Sequence, residues 1–350
     1  MRYPTKIMLI AALLVTLSPT ARGEKVGVFQ NDYFKIPVLR VDDHKVYVVD
    51  KGLLKGFIYE RKALKKIAEF GNPGSGPVEF NRISGAYIDE NYIYVTGYPK
   101  LCIFSKEGKF IKEFRVPIKT GDYIPLGNNT YIGTYTTLSP KKETRVMDIY
   151  RLFDGNIKLK REFFSSEYNR PTEFVKGMTI RYLFSDCVYA AVYKNNIYIG
   201  NTDKGFYFAV FNREGGKLYE IKRNIEKRII TQEAKDKIIS TLKSVDPIRW
   251  KNYSQTTKIA IRDEMPAYKA FFVADDRIYV FSYPKNKGMY EIFMLDLKGN
   301  ILKKKQMSIF DLTDVDSSMH CIDKGKLFFI KENEGLFDDD TELHEVTIFQ

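Results

Sequence analysis

The sequence predicts an all-β fold, a six-bladed β-propeller of four-stranded antiparallel blades with one inserted helix, and three observations lead there. A short strand signature returns six times along the 350 residues. Turns of the kind that close antiparallel hairpins sit at matching places in each return. A helical period interrupts the pattern in one stretch alone, from Asn224 to Trp250.

In chain order, the first residues carry Arg2 and Lys6, then an apolar run from Ile7 to Leu17, then Ala21-Arg22-Gly23 as a small-x-small cleavage site. The run is shorter than the ~20 residues that span a bilayer. Residues 1–23 therefore read as a secretory signal peptide and residues 24–350 as a single propeller domain, with a retained N-terminal anchor as the alternative. No cysteine lies near the cut, so no lipid anchor is expected and the mature chain is placed in the periplasm or outside the cell.

The signature is a turn of Asp, Asn, Gly or Lys followed by alternating β-branched and aromatic residues. It appears as VDDHKVYVVD from Val41, IDENYIYVTG from Ile88 and LGNNTYIGTY from Leu126. It returns as YKNNIYIGNT from Tyr193, ADDRIYVFSY from Ala274 and IDKGKLFFIK from Ile322. A second hairpin follows most of them, as in LCIFSKEGKFIKEF, YFAVFNREGGKLYEI and EIFMLDLKGNILKKK. Each unit is thus a four-stranded meander. One such sheet cannot bury both faces alone, so the units must pack face to face around an axis. The aromatic landmarks are Tyr47, Tyr94, Tyr131, Tyr198, Tyr279 and Phe328. Their two long gaps hold either insertions or one degenerate seventh blade. The last unit offers three strands, and KVGVFQ near the mature N-terminus can supply the fourth.

Between the first two units lies FGNPGSGPVEF, Phe70 to Phe80. A phosphate-binding loop would continue into Gly-Lys-Ser/Thr and a helix; here Pro77, Val78, Glu79 and Phe80 lead to a strand, so the glycines and prolines serve to turn the chain from one blade to the next. The segment from Glu69 through Phe114 resembles an NHL-type propeller repeat, reproducing its Gly76-Pro77, Phe80 and closing Gly108-Lys109-Phe110. Over its length the chain resembles the exported six-bladed β-propeller proteins of Bacteroidota, whose members are mostly of unknown activity. NHL repeats usually place Asp, Asn and Arg after the Tyr-Val pair; this chain has Thr96-Gly97-Tyr98-Pro99-Lys100, so the polar roles of those positions do not carry over.

The helical stretch repeats Ile230, Ala234, Ile238 and Leu242, with Val245 next, which predicts an amphipathic helix within an insertion of about 225–250. Thr231 is expected to cap it and Asp246-Pro247 to end it. Its apolar stripe is expected to rest on the outside of the propeller or to wall the axial pocket beside Trp250, the single tryptophan.

The formal charge of +12 becomes +9 without Arg2, Lys6 and Arg22 (12 − 3 = 9). The cations recur in KEGKFIKEF, REGGKLYEIKR and LKGNILKKKQ with acids mixed in, so the charge is spread around a rim and does not form a nucleic-acid footprint. Cys102, Cys187 and Cys321 form no CxxC pair and read as small buried residues, with one disulfide plus a free thiol as the alternative. His320-Cys321 and His344 read as ordinary turn and strand residues, with part of a zinc site that lacks an apparent third good ligand as the alternative. FDDDTEL from Phe337 lacks the spacing of an EF-hand loop. Asp42-Asp43 and Asp275-Asp276 recur at hairpin turns. No catalytic constellation, metal or cofactor is expected. The chain is therefore expected to be a non-catalytic binding module or envelope scaffold for a protein, peptide or glycan, with a propeller lyase or hydrolase as the rival. Arg82, Tyr98, Arg181 and Trp250 are the candidate ligand contacts.

Overall fold

The computed structural model describes residues 23–349 apart from 31, 117–119, 143, 176–177, 226–227, 246–250, 252–256, 284–288, 309–319 and 333–340. Six four-stranded sheets form the blades. Blade 1 comprises Pro37–Val41, Lys45–Asp50, Lys55–Glu60 and Lys66–Phe70, and blade 2 Ile83–Ile88, Tyr92–Gly97, Lys100–Ser105 and Phe110–Arg115. Blade 3 comprises Thr120–Gly127, Thr130–Leu138, Arg145–Phe153 and Leu159–Asn169; blade 4, Val188–Tyr193, Asn196–Asn201, Phe206–Asn212 and Lys217–Arg223. Blade 5 is Ala270–Ala274, Arg277–Phe281, Met289–Asp296 and Ile301–Ser308. Blade 6 takes His320–Asp323, Lys326–Glu332 and Thr341–Thr347 from the C-terminal end and Glu24–Phe29 from the N-terminal end. The first strands touch in the order 1-2-3-4-5-6-1, which makes them the inner ring around the axis.

Local chemistry explains the meanders. The first hairpins of blades 3 to 6 turn on residue pairs that both have positive φ: Asn128-Asn129, Lys194-Asn195, Asp275-Asp276 and Lys324-Gly325. This backbone twist matches that of paired strands, which is why Asn, Asp and Gly recur there. Blades 1 and 2 use three-residue turns instead, where the Asp42 and Asp89 carboxylates accept the N–H groups of His44 and Lys45, and of Asn91 and Tyr92.

Alternation along the strands then builds one apolar core per blade interface. In the second strand of blade 1, Val46 and Val48 face blade 6 and meet Cys321, Phe328 and Leu343. The intervening Tyr47 and Val49 face blade 2 and meet Ile93, Val95 and Cys102. Equivalent clusters lie between blades 2 and 3, 3 and 4, 4 and 5, and 5 and 6. Five of the six aromatic landmarks point at the following blade in this way. The third does not: after the Asn128-Asn129 turn, Ile132 occupies the landmark position, and Tyr131 faces back toward blade 2 with Tyr94. A shift of one residue in a strand reverses its face.

The N-terminal strand closes the ring as the outer strand of blade 6, pairing Glu24 with Glu345 and Phe29 with Thr341. Phe29 ends that strand fully buried, edge-on to Phe34 at 5.1 Å and Tyr59 at 4.8 Å.

The two long gaps hold insertions. Residues 170–187 contribute Thr172–Val175 and Met178–Leu183, and residues 224–269 contribute helix α1, Gln232–Val245, and Thr257–Ile261. Met178–Leu183 pairs in parallel with Thr257–Ile261, so the two insertions join in one three-stranded sheet. The second insertion therefore runs well past the predicted 225–250. Thr231 caps α1, its Oγ1 accepting from Ala234 N at 3.2 Å, while the predicted stop at Asp246-Pro247 lies outside the described residues. Ala234 and Ile238 of the apolar stripe are half-buried.

FGNPGSGPVEF does cross from the outer strand of blade 1 to the inner strand of blade 2. Phe80 is its buried anchor, with Lys100 Nζ over the ring at 5.8 Å.

Candidate ligand-binding face and axial cavity

The two ends of the ring are built differently. At one end the chain makes the compact hairpins 42–44, 89–91, 128–129, 194–195, 275–276 and 324–325, together with the outer hairpins of blades 1 to 5. At the other end lie the described second-to-third-strand connections and the described crossings between blades, including the shared sheet of the two insertions. No described side chain in that sheet is fully buried, and Phe174 is 70% exposed, with Val175 and Met178 also exposed.

Polar networks fix the roots of this insertion end. Asp50, fully buried at the end of the second strand of blade 1, accepts four backbone N–H groups: Lys35 at 2.5 Å, Ile36 at 3.2 Å, and Gly52 and Leu53 at 2.7 Å each. Four donors satisfy a buried carboxylate, and they hold the connection that begins with Lys51. Between blades 3 and 4, Arg145 bonds Asp203, and Asn169 Nδ2 donates to Asp203 Oδ1 at 2.8 Å and to Asp186 Oδ2 at 2.9 Å. Farther out, Arg262 lies over the Tyr182 ring at 4.0 Å and donates to the Arg170 carbonyl at 3.0 Å, linking the two insertions.

A cavity of about 270 Å³ runs along the axis and is lined by all six inner strands. Blade 4 contributes Ala190 and Ala191, whose small side chains leave the space open. Most of the lining residues are apolar, yet polar and apolar surface are about equally exposed, and the polar side chains are Arg40, Lys51, Tyr87 and Asp122. Asp122 sits where two inner strands are both irregular: the register shifts between Ile83 and Gly85 in blade 2 and between Thr120 and Tyr123 in blade 3. Bulges of this kind re-aim side chains. A Cβ on Gly85 would lie 2.1 Å from Asp122 Oδ2, so the missing side chain there is what admits the carboxylate.

The Asp122 side chain is open to the cavity although protein surrounds it on nearly all sides. That enclosure pushes its carboxyl above the usual range, and the nearby Ser84 hydroxyl and the Lys51 and Arg82 charges offset the rise only in part.

Of the predicted contacts, Arg82 is exposed at the start of the blade 2 inner strand and its charge reaches Asp122. Tyr98, 48% exposed, lies in the second-to-third connection of blade 2, with a cis bond to Pro99. Arg181 is exposed on the insertion sheet, in register with Thr172 and Ile259. All three belong to the insertion end, but Arg82 alone is brought to the cavity group. Trp250 lies outside the described residues. Lys51, Gly85 and Asp122 escaped the sequence reading; the available signal was an acid opening the otherwise apolar inner strand DYIPLG.

Other readings resolve by geometry. His320 and His344 stack on opposite sides of Phe329, with ring centroids 6.3 and 5.5 Å from it, while Cys321 belongs to the core on the other face of the sheet. His344 Nε2 instead meets Glu342 Oε2 at 2.7 Å. No disulfide joins the three cysteines. Of FDDDTEL, residues 337–340 are not described, and Thr341 onward forms strand.

The fold and its axial cavity define a six-bladed β-propeller. A family model described as a six-bladed β-propeller matches residues 31–314, and the chain belongs to that family. Among solved structures it is similar to a Bacteroides fragilis protein whose name includes the word "exported", with 13% identity, 96% of this chain and 94% of that chain covered, and a TM-score of 0.52. A protein of unknown function from Bacteroides caccae is similar at 9% identity, covering 83% of this chain and 85% of that one, with a TM-score of 0.41. BamB from Moraxella catarrhalis is similar at 11% identity, covering 88% and 71%, with a TM-score of 0.31. No curated protein matches the sequence.

Proposed function

We propose that this chain is an exported, non-catalytic recognition propeller that engages a protein, peptide or glycan through its insertion end. The observation carrying this reading is the one-sided architecture: compact turns close one end, while the insertions, their sparsely buried sheet and the exposed Arg82, Tyr98 and Arg181 gather at the other. Loops displayed from one end of a rigid scaffold are the usual recognition device. Export rests on the leader-like residues 1–23 and places the mature chain in the periplasm or outside the cell.

The rival, a lyase or hydrolase, draws support from Asp122, since a carboxyl with raised proton affinity in a cleft suits a general acid. Among the described residues no cluster of metal ligands accompanies it.

The test pairs binding with turnover. Purified protein should retain a peptide or glycan from an immobilised panel, Arg181→Ala and Tyr98→Ala should weaken retention several-fold, and lactones, peptides and glycosides should not be consumed. Enzyme-like turnover abolished by Asp122→Asn would establish the rival. Amino-terminal sequencing of the exported protein should begin near Glu24; a chain that keeps residues 1–23 would overturn export by cleavage.

A further inference from the structure

We propose that the axial cavity is a binding site for a small organic carboxylate, held by Lys51 and Asp122 at the insertion end with Arg40 deeper along the axis. This site is independent of the recognition surface above: either can fail while the other stands.

Charge balance is the first argument. Arg40, Lys51 and Arg82 surround the cavity or its mouth, and among the described residues none of them forms a close ion pair, although the charges of Lys51 and Arg82 reach Asp122. Arg40 Nη1 donates to the adjoining Leu39 carbonyl at 2.7 Å, and its charge is felt at Tyr87. Lys51 has no hydrogen-bond partner for its ammonium among the described residues. Elsewhere the lysines and arginines of this chain repeatedly find acids, as in Lys66 with Asp32, Lys194 with Asp276 and Arg151 with Glu162. Three cations set against the single carboxyl of Asp122 leave this space with an excess of positive charge, which calls for an anion.

The second argument is the construction around Asp122. Bulges in two adjacent inner strands and a glycine with no room for a Cβ converge on this one carboxyl. Its presence also narrows the ligand. A carboxyl that binds its proton firmly can share that proton with a second carboxylate, as paired acids do. An ionised Asp122 repels either anion, and phosphate, with more negative charge near neutral pH than a single carboxylate, the more strongly. The cavity, about 270 Å³ with walls mainly of Ala, Val, Ile and Phe, takes a molecule of sugar or amino-acid size.

Calorimetric titration of the full mature chain with succinate, galacturonate and inorganic phosphate tests the site at pH 5 and pH 7. A carboxylate should bind saturably at one site, more tightly at pH 5, and at least tenfold better than phosphate. Lys51→Gln and Arg40→Gln should each weaken it tenfold or more. Asp122→Asn, which donates a hydrogen bond without charge, should bind more tightly at pH 7 and lose the pH dependence. Lys62→Gln, on a distant hairpin, should change nothing. Melting curves of each variant establish folding, and Arg40→Gln provides the test where Lys51→Gln does not fold. The proposal is overturned by absent saturation, by equal affinity for phosphate, or by folded Lys51 and Asp122 variants that bind as the wild type does.

Discussion

Asp122 shows how a single carboxyl can be kept at a cost to stability. Its folded proton affinity lies above the ordinary carboxylate value of 3.8, so the folded state is favoured where the group is protonated and loses that advantage as pH rises toward the folded pKa. At neutral pH the wild-type chain therefore carries a penalty that an amide would not. Asp122→Asn should raise the melting temperature at pH 7, and the gain should vanish as pH falls below about 4, where the unfolded carboxyl is protonated as well. Scanning calorimetry across that range checks it; a lower melting temperature at pH 7 would show that the carboxylate stabilises the ring. Arg82 could be picked from the sequence as a linker residue near an inner strand. Its partner could not, because the meeting of Asp122 with Gly85 depends on two bulges in separate blades: Gly85 and Gly121 mark a bulge within each strand, but nothing in either strand says that the two meet.

At the scale of elements, turn chemistry and strand alternation made the blades legible. Asn128-Asn129 or Asp275-Asp276 announces a hairpin by the positive φ it tolerates. The insertion sheet had no such announcement, since Thr179 pairs in parallel with Thr257 and no turn joins them. Tyr131 marks the limit of the signature: a landmark shifted by one residue still lies in the strand but faces the other interface. The N-terminal strand was legible by subtraction, the last unit being one strand short. Its grip on the ring is concentrated in Phe29, so Phe29→Ala should destabilise the protein by about 3–5 kcal/mol, the usual cost of emptying a buried phenylalanine site. Urea unfolding measures this, and a change below about 1 kcal/mol would show that blade 6 is closed without that side chain.

For the whole molecule, the six interface cores and the insertion sheet form two tiers of stability. Backbone amides of the second and third strands are sealed between blades, whereas the sheet made by Thr172–Val175, Met178–Leu183 and Thr257–Ile261 has no fully buried described side chain. Opening free energies should follow burial. Hydrogen exchange followed by mass spectrometry should find that sheet exchanging at least a hundredfold faster than Lys45–Asp50 or Asn196–Asn201; equal protection would mean that it is locked to the ring. Joining Lys25 to Glu342 across 317 positions of sequence also sets the order of assembly. The earliest-made strand finds its backbone partner only in one of the latest, and long-range pairing of this kind is slow. During synthesis the growing polypeptide is an open fan in which Phe29 has its early neighbours Phe34 and Tyr59 but still lacks Phe328 and Leu343 of blade 6. A folding helper that recognises exposed aromatic segments therefore has its natural window before the last blade is made.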